Sequence, residues 1–209
     1  MKAETFFSEA QNAEITRAIR EVELQTSGEV AVMVVDRSDS YPESRILAGL
    51  LIGSLLALGI VDLLLDDSLW AFLPLAALFT LLSGWLIGHL PALQRFFISG
   101  ARLEEMVREQ ALQGFYKKGL YKTRDATGVL FFISLFEHRV WVLADKGIYE
   151  KISQATLQTY AADIATGIKN GRAAEALCRE IRGAGEVLAR HFPVRADDTN
   201  ELPDQVLHG

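Results

Sequence analysis

The sequence predicts an α/β fold, a small mixed sheet covered by helices, interrupted by a two-helix transmembrane hairpin. Two leucine-rich runs at 46–65 and 69–90 carry a single charge between them, at Asp62. Apolar, β-rich runs lie on either side of that block, at 29–35, 128–136 and 139–144. The segments around those strands repeat apolar residues at helical spacing.

The first helix is read from Phe6, Phe7, Ala10, Ala13, Ile15, Ile19 and Val22, which share one face, and it ends near Thr26-Ser27-Gly28. The run Glu29-Val-Ala-Val-Met-Val-Val35 follows and is apolar at nearly every position, as expected of a strand covered on both faces. Then comes the hairpin. Thirteen of the residues 46–65 are Leu, Ile or Val. Each contributes about −0.3 to −0.6 kcal/mol to insertion at a helix centre, against at most about 3.5 kcal/mol for a central Asp. Asp62 lies near a helix end, where that cost falls, so insertion is favoured. Each run is long enough to cross a hydrocarbon core of roughly 30 Å. Pro74 stands early in the second helix, and Trp70 and Trp85 stand near its two ends, where interfacial aromatics collect.

Arg37 and Arg45 precede the hairpin and Arg95, Arg102 and Arg108 follow it, while its connection carries Asp66 and Asp67 and no Lys or Arg. The positive-inside rule places both flanks in the cytoplasm of a cell (inner) membrane protein. Asp62, Asp66 and Asp67 read as an exposed acidic connector in preference to a transport path. Gly49, Gly53, Ser54 and Ala57 form a small-residue face suited to receiving the second helix or a partner's helix.

After the membrane, Ser99 is positioned to cap a helix carrying Leu103, Met106, Val107, Gln110, Ala111 and Gly114 on one face, ended by Gly119. Strands 128–136 and 139–144 are joined by Glu137-His138, the pattern of a tight antiparallel hairpin. Helices are expected at about 149–168 and 172–191, separated by Lys169-Asn170-Gly171 and closed by Phe192-Pro193. A strand, a helical crossover and a second strand favour a parallel pair. The expected organisation is one discontinuous domain, 1–45 with 91–194, around the hairpin, and a polar tail at 195–209.

The 209 residues carry a net charge of −6 at pH 7 and no Lys/Arg run, which argues against nucleic acid as a partner. Residues 1–28 show no apolar signal-peptide core, so membrane delivery is expected from the hairpin. The single cysteine, Cys178, continues a helical apolar pattern and reads as a buried thiol.

The segments Gly28-Glu29-Val30-Ala31-Val32, Thr127-Gly128-Val129-Leu130, Glu137-His138-Arg139-Val140 and Leu143-Ala144-Asp145-Lys146-Gly147-Ile148 resemble, in their order and spacing, the TPM domain family. The endings His191-Phe192-Pro193 and Asn200-Glu201-Leu202-Pro203-Asp204 resemble its bacterial membrane subgroup. The resemblance implies a compact, loosely Rossmann-like α/β sandwich without a nucleotide-binding glycine loop. It also implies links to acid phosphatase activity, to calcium binding and to photosystem repair or receptor assembly, with LemA-type membrane proteins or other TPM proteins as partners of bacterial relatives.

The residues themselves carry little catalytic signature. Cys178 is followed by Arg179 and Arg182, but Ala184 stands where a Cys-x5-Arg loop needs its arginine. No Walker A loop, GxSxG elbow or paired-aspartate motif is present. His89, His138, His191 and His208 lack zinc-ligand spacing. The best constellation is acidic: antiparallel pairing of 128–136 with 139–144 would bring Asp125 and Asp145 to one sheet edge beside Thr123 and Thr127. There they could hold Ca²⁺ or Mg²⁺, or simply cap turns, with Arg124 and Lys146 neutralising them. Asp36 and Glu137 would fall at the opposite edge. The expected function is a membrane-tethered protein-binding or scaffold module; the alternative is a phosphomonoester hydrolase.

Overall fold

The computed structural model describes residues 2–65, 69–123, 125–194 and 205–208. The chain divides into two compact units, residues 1–38 with 104–209, and residues 39–103.

The first unit is built on a mixed four-stranded sheet. Strand β1 (Glu29–Val35) pairs parallel with β2 (Gly128–Ser134), in register from Glu29 opposite Gly128 to Val35 opposite Ser134. Strand β3 (Arg139–Ala144) runs antiparallel on the far side of β2, and β4 (Leu207–His208) lies parallel to β1 on the other side, giving the order β3-β2-β1-β4. Leu207 and His208 fall in the stretch expected to be only a polar tail. They form a strand because they reach the otherwise unpaired edge of β1 beside Met33 and Val34.

Every residue of β1 and β2 is buried, because helices cover both faces. On one face Val30, Val32, Val34, Val129, Phe131, Ile133 and Val142 meet Ile15, Ile19 and Val22 of α1 (Glu9–Glu23), with Leu157 and Ile164 of α7 (Gln154–Lys169) and Leu177, Ile181 and Leu188 of α8 (Ala173–His191). On the other face Ala31, Met33, Val35, Leu130 and Phe132 meet Val107, Ala111 and Phe115 of α5 (Gly100–Lys117). The alternation of side chains along each strand assigns the residues to these two cores. Gly114 keeps α5 close to the sheet: a Cβ there would lie 2.8 Å from Met33 Sδ. Gly185 does the same for α8, where a Cβ would come within 2.4 Å of Val22.

Local chemistry sets the ends of these helices. Ser8 and Gln11 form a reciprocal capping box at the start of α1. Ser99 Oγ accepts the Arg102 N–H at 3.2 Å, and Gly119, at φ +82°, lies just beyond the end of α5. The helix expected at 149–168 starts later, at Gln154, and a separate short helix precedes it. Asp145 caps the short α6 (Lys146–Tyr149), and Ser153 then starts α7 by accepting the Thr156 N–H at 3.2 Å. The β2–β3 turn is also longer than the two residues expected, spanning 135–138. Leu135 and Phe136 N–H groups donate to the carbonyls of Val35 and Asp36 at 3.0 and 2.9 Å, following β1 and delaying the reversal until His138, which takes φ +51°.

The second unit holds two helices long and apolar enough to cross a membrane, α2 (Pro42–Leu64) and α3 (Leu69–Gly88). At 1.5 Å per residue they measure about 34 and about 30 Å. Helix α2 starts earlier than the apolar run because Pro42 opens its first turn. The two helices touch along small residues. A Cβ on Gly49 would sit 2.6 Å from the Thr80 carbonyl oxygen, one on Gly53 2.4 Å from the Thr80 nitrogen, and one on Gly84 3.1 Å from the Arg45 carbonyl oxygen. The faces turned away remain bare: Leu47, Leu50, Leu51, Leu55, Leu73, Leu78, Leu81 and Leu82 are all exposed, as are Trp70 and Trp85. A short helix absent from the sequence reading, α4 (Pro91–Phe96), follows α3. Its fully buried Gln94 donates from Nε2 to the Ser40 carbonyl at 3.0 Å and to Ser44 Oγ at 3.3 Å, tying α4 to the start of α2. Arg102 reaches Asp39 and Glu43 at 3.5 and 3.3 Å.

Candidate functional site

The parallel strands β1 and β2 gather polar side chains at both of their ends. At the end where they start, Thr127 Oγ1 donates to the Ser27 carbonyl at 3.1 Å, its N–H is held by Thr123 Oγ1 at 3.0 Å, and the Glu29 N–H donates to the Thr127 carbonyl at 3.2 Å. Asp145 leaves β3 here: its N–H donates to the Gly128 carbonyl at 2.8 Å, and its Oδ1 accepts the Lys146 N–H at 2.7 Å as an N-cap. Its Oδ2 is buried and has no hydrogen-bond partner. The turn bearing Asp125 is joined to α6 by the Gly147 N–H, which donates to the Ala126 carbonyl at 3.1 Å. Only glycine fits there, since a Cβ on residue 147 would lie 2.7 Å from the Asp125 carbonyl oxygen and 2.8 Å from that of Ala126.

The segments carrying Asp125 and Asp145 therefore meet at one edge, through backbone contacts. Ca²⁺ takes six to eight oxygen ligands, usually with several carboxylates. Here one Asp145 oxygen is committed to a helix cap, and among the described residues no three His, Cys, Asp or Glu side chains come together to hold a metal ion. The donor set fits a strand-to-helix junction better than a Ca²⁺ or Mg²⁺ centre. Arg124, the Asp66-Asp67-Ser68 connector and the 200–204 segment of the family resemblance lie outside the described residues.

At the opposite end, sequence reading placed Asp36 and Glu137 but missed what joins them to their neighbours. Glu137 is fully buried. Its Oε1 accepts the Ser38 N–H at 2.8 Å, its Oε2 accepts the Ser134 hydroxyl, and Ser38 Oγ donates to Ser134 Oγ at 2.9 Å. Asp36, one residue past β1, accepts the Ala3 N–H, and the Arg37 guanidinium sits 4.6 Å from the Phe136 ring centroid. A serine hydroxyl bonded to a carboxyl has the outline of a nucleophile and its base. Ser134 is only 1% exposed and Glu137 0%, so no reactant reaches the pair. The cluster instead ties the exit of β1 to the β2–β3 turn.

The remaining candidates are Cys178 and the four histidines. Cys178 is buried in α8; burial pushes its thiol up to about 11, helped by Glu14 and Glu21 and opposed by Arg182, so it stays protonated at neutral pH. His89 Nδ1 lies 2.8 Å from the Trp85 carbonyl oxygen, and the two rings are tilted by 47° with centroids 4.6 Å apart. His138 and His191 are exposed on separate elements, and His208 belongs to β4.

The fold is similar to that of the BA42 protein from the psychrophilic bacterium Bizionia argentinensis, solved by NMR, with a TM-score of 0.61 at 21% sequence identity over 98% of this chain and 96% of that one. No family model matches the chain, and no curated protein matches it.

Proposed function

We propose that this chain is a membrane-anchored, TPM-like α/β module, loosely Rossmann-like, that works by holding a membrane-protein partner and performs no catalysis itself. The observation that carries the reading is the bare leucine face left on both long helices after they pack together, with Trp70 90% and Trp85 66% exposed. A contiguous apolar surface of this extent is costly in water and is matched by lipid. A catalytic role draws no support from the polar clusters at the two strand ends. Asp145 caps α6, and Glu137 is sealed against Ser38 and Ser134.

In this reading the hairpin spans the inner membrane twice and the sheet lies on the cytoplasmic side, as the arginine bias predicts. The partner is a LemA-type membrane protein or another TPM protein, as the family resemblance implies. The decisive experiment is crosslinked co-purification of the full chain from native membranes, with recovery of such a membrane protein expected. Sustained phosphate-ester hydrolysis by the purified chain, abolished by Asp145→Ala, would overturn the non-catalytic reading. Topology is tested by cysteine labelling: a residue at Ser68 is expected to react from outside the cell and one at Ser153 to be protected. The reverse pattern would invert the orientation.

A further inference from the structure

Polarity is inverted across the short helix α4. Its fully buried residue is a polar one, Gln94, held by the Ser40 carbonyl and Ser44 Oγ at the start of α2. At about 100° per residue, Ala92 and Phe96 lie nearly opposite Gln94 and Leu93 lies to one side. All three are exposed, Phe96 at 83%. A helix docked in water buries its apolar face and shows its polar one. Here the order is reversed, and the same reversal runs through the helices that α4 adjoins: Ser44 of α2 and Ser83 of α3 are buried while their leucines are bare. Exposed apolar residues pass from α3 onto α4 at about one per turn, as Leu82, Leu86, Leu90, Leu93 and Phe96, with no acidic residue among them. The level of α4 along the hairpin is fixed as well. Helix α2, at about 34 Å, exceeds a hydrocarbon core of roughly 30 Å by less than one turn. Gln94 ties α4 to the first turn of α2, beside that excess. Trp85 is exposed in the last turn of α3, and the Arg45 side chain crosses Gly88, where a Cβ would lie 3.0 Å from Arg45 Nε. Tryptophan, and arginine that keeps its head in the interface, mark the boundary of spanning helices.

We infer that α4 is an interfacial foot. It lies in the boundary between headgroups and acyl chains of the leaflet through which the chain enters and leaves the membrane, with Leu93 and Phe96 immersed in lipid. The inference rests on the proposed spanning of the hairpin and deepens it by adding a second kind of lipid contact. Interfacial helices sink their apolar face about 5–10 Å into that boundary. Lipid is the occupant because the bare face of α4 continues the bare face of α3 and sits at the level where a spanning α2 leaves the hydrocarbon core. The helix cannot turn that face inward, since its opposite side is committed to Ser40 and Ser44 through Gln94. Anchors at the boundary set the depth and rotation of spanning helices. With α4 locked to the first turn of α2 and immersed beside it, the hairpin is held at one depth and resists sliding along the membrane normal.

The test uses the full chain in vesicles of phosphatidylcholine and phosphatidylglycerol, with Trp70, Trp85 and Trp141 changed to Phe and one new reporter at a time. Phe96→Trp exchanges one exposed aromatic for another, and Leu55→Trp places a reporter on exposed surface near the middle of α2. The lipids carry bromine either near the headgroup end of their chains or near the chain ends. Phe96→Trp is expected to emit at shorter wavelength than in the unfolded chain, to lose most of its fluorescence to the shallow bromines, and to lose little to the deep ones or to aqueous iodide. Leu55→Trp is expected to show the opposite order of depth. Quenching of Leu55→Trp from lipid while Phe96→Trp responds only to iodide puts α4 in water, and overturns the inference while leaving the spanning of the hairpin intact. Protection of Phe96→Trp from lipid and iodide alike gives its face to a protein and overturns the inference too, as does strongest quenching by the deep bromines. An absence of lipid quenching at either position removes the spanning and the inference together.

Discussion

Removing the Glu137 carboxyl should destabilise the sheet unit far more than an ordinary turn substitution. In Glu137→Ala, the Ser38 N–H and the Ser134 hydroxyl both lose their acceptor, the first at a half-buried position and the second at a fully buried one. An unsatisfied buried donor costs about 1–3 kcal/mol. The Ser38–Ser134 contact at 2.9 Å survives and softens the loss at Ser134. Removing a buried carboxyl also relieves its desolvation, so the net expectation is a loss of about 2–4 kcal/mol. Glu137→Gln keeps a carbonyl for the Ser38 N–H and should lose only about 1 kcal/mol. The assay is denaturant unfolding of the full chain in detergent with Trp70 and Trp85 changed to Phe, leaving Trp141 in β3 as the sole tryptophan reporter. An Ala variant within about 0.5 kcal/mol of wild type, or a Gln variant less stable than the Ala variant, would refute the view that Glu137 ties strand exit to turn.

Three further outcomes are expected. The Cys178 thiol is raised from 9.0 to about 11 in the fold, so the folded state keeps a proton that the unfolded chain releases above pH 9. Stability should be unaffected by this group below pH 9 and fall by up to about 2.7 kcal/mol as pH rises through 11. Tyr160, raised from 10.0 chiefly by burial, adds loss in the same direction only above pH 10, so Cys178→Ala should flatten the curve between 9 and 10 in pH-dependent denaturation. Ser8→Ala breaks the capping box and should cost about 1 kcal/mol, with faster amide exchange confined to the first turn of α1. Gly53→Val puts a branched side chain where a Cβ alone would lie 2.4 Å from the Thr80 nitrogen. It should weaken the hairpin by about 1–3 kcal/mol, read as a lower midpoint in SDS titration followed by Trp85 fluorescence.

What was legible in the sequence is what local pattern controls. The near-continuous apolarity of 29–35 announced a strand buried on both faces, and α1 and α5 covering opposite sides of the sheet give the reason. The small face of α2 announced close helix contact, and Gly49 and Gly53 provide it against Thr80. The errors arose where a local bond interrupts a continuing pattern. Ser153 caps α7 inside a stretch whose composition reads as one helix, and the β2–β3 reversal waits until His138 because Leu135 and Phe136 still follow β1. The strand at Leu207–His208 was invisible for a different reason. Two residues carry no period, and their strand character comes wholly from Met33 and Val34.

The candidate site shows the same division more sharply. Asp125 and Asp145 could be paired on paper because a hairpin between them fixes their relation, and the structure does bring their segments together through Gly147. Ser38, Ser134 and Glu137 could not, since Ser38 lies 96 and 99 positions from the other two and the separating segment includes both long apolar helices. Only parallel pairing of β1 with β2 closes that distance, by setting Val35 beside Ser134. That pairing also accounts for where the apolar helices can be tolerated. They enter after β1 has finished its ladder and leave before α5 begins its contact with the sheet, so neither core gives up a residue to them. An insertion of this length adds little loop-closure entropy, because that cost grows only logarithmically with length. The buried Glu137 tie then secures the strand end from which the chain departs, which is why its removal, more than any change at Asp125 or Asp145, should report on the sheet.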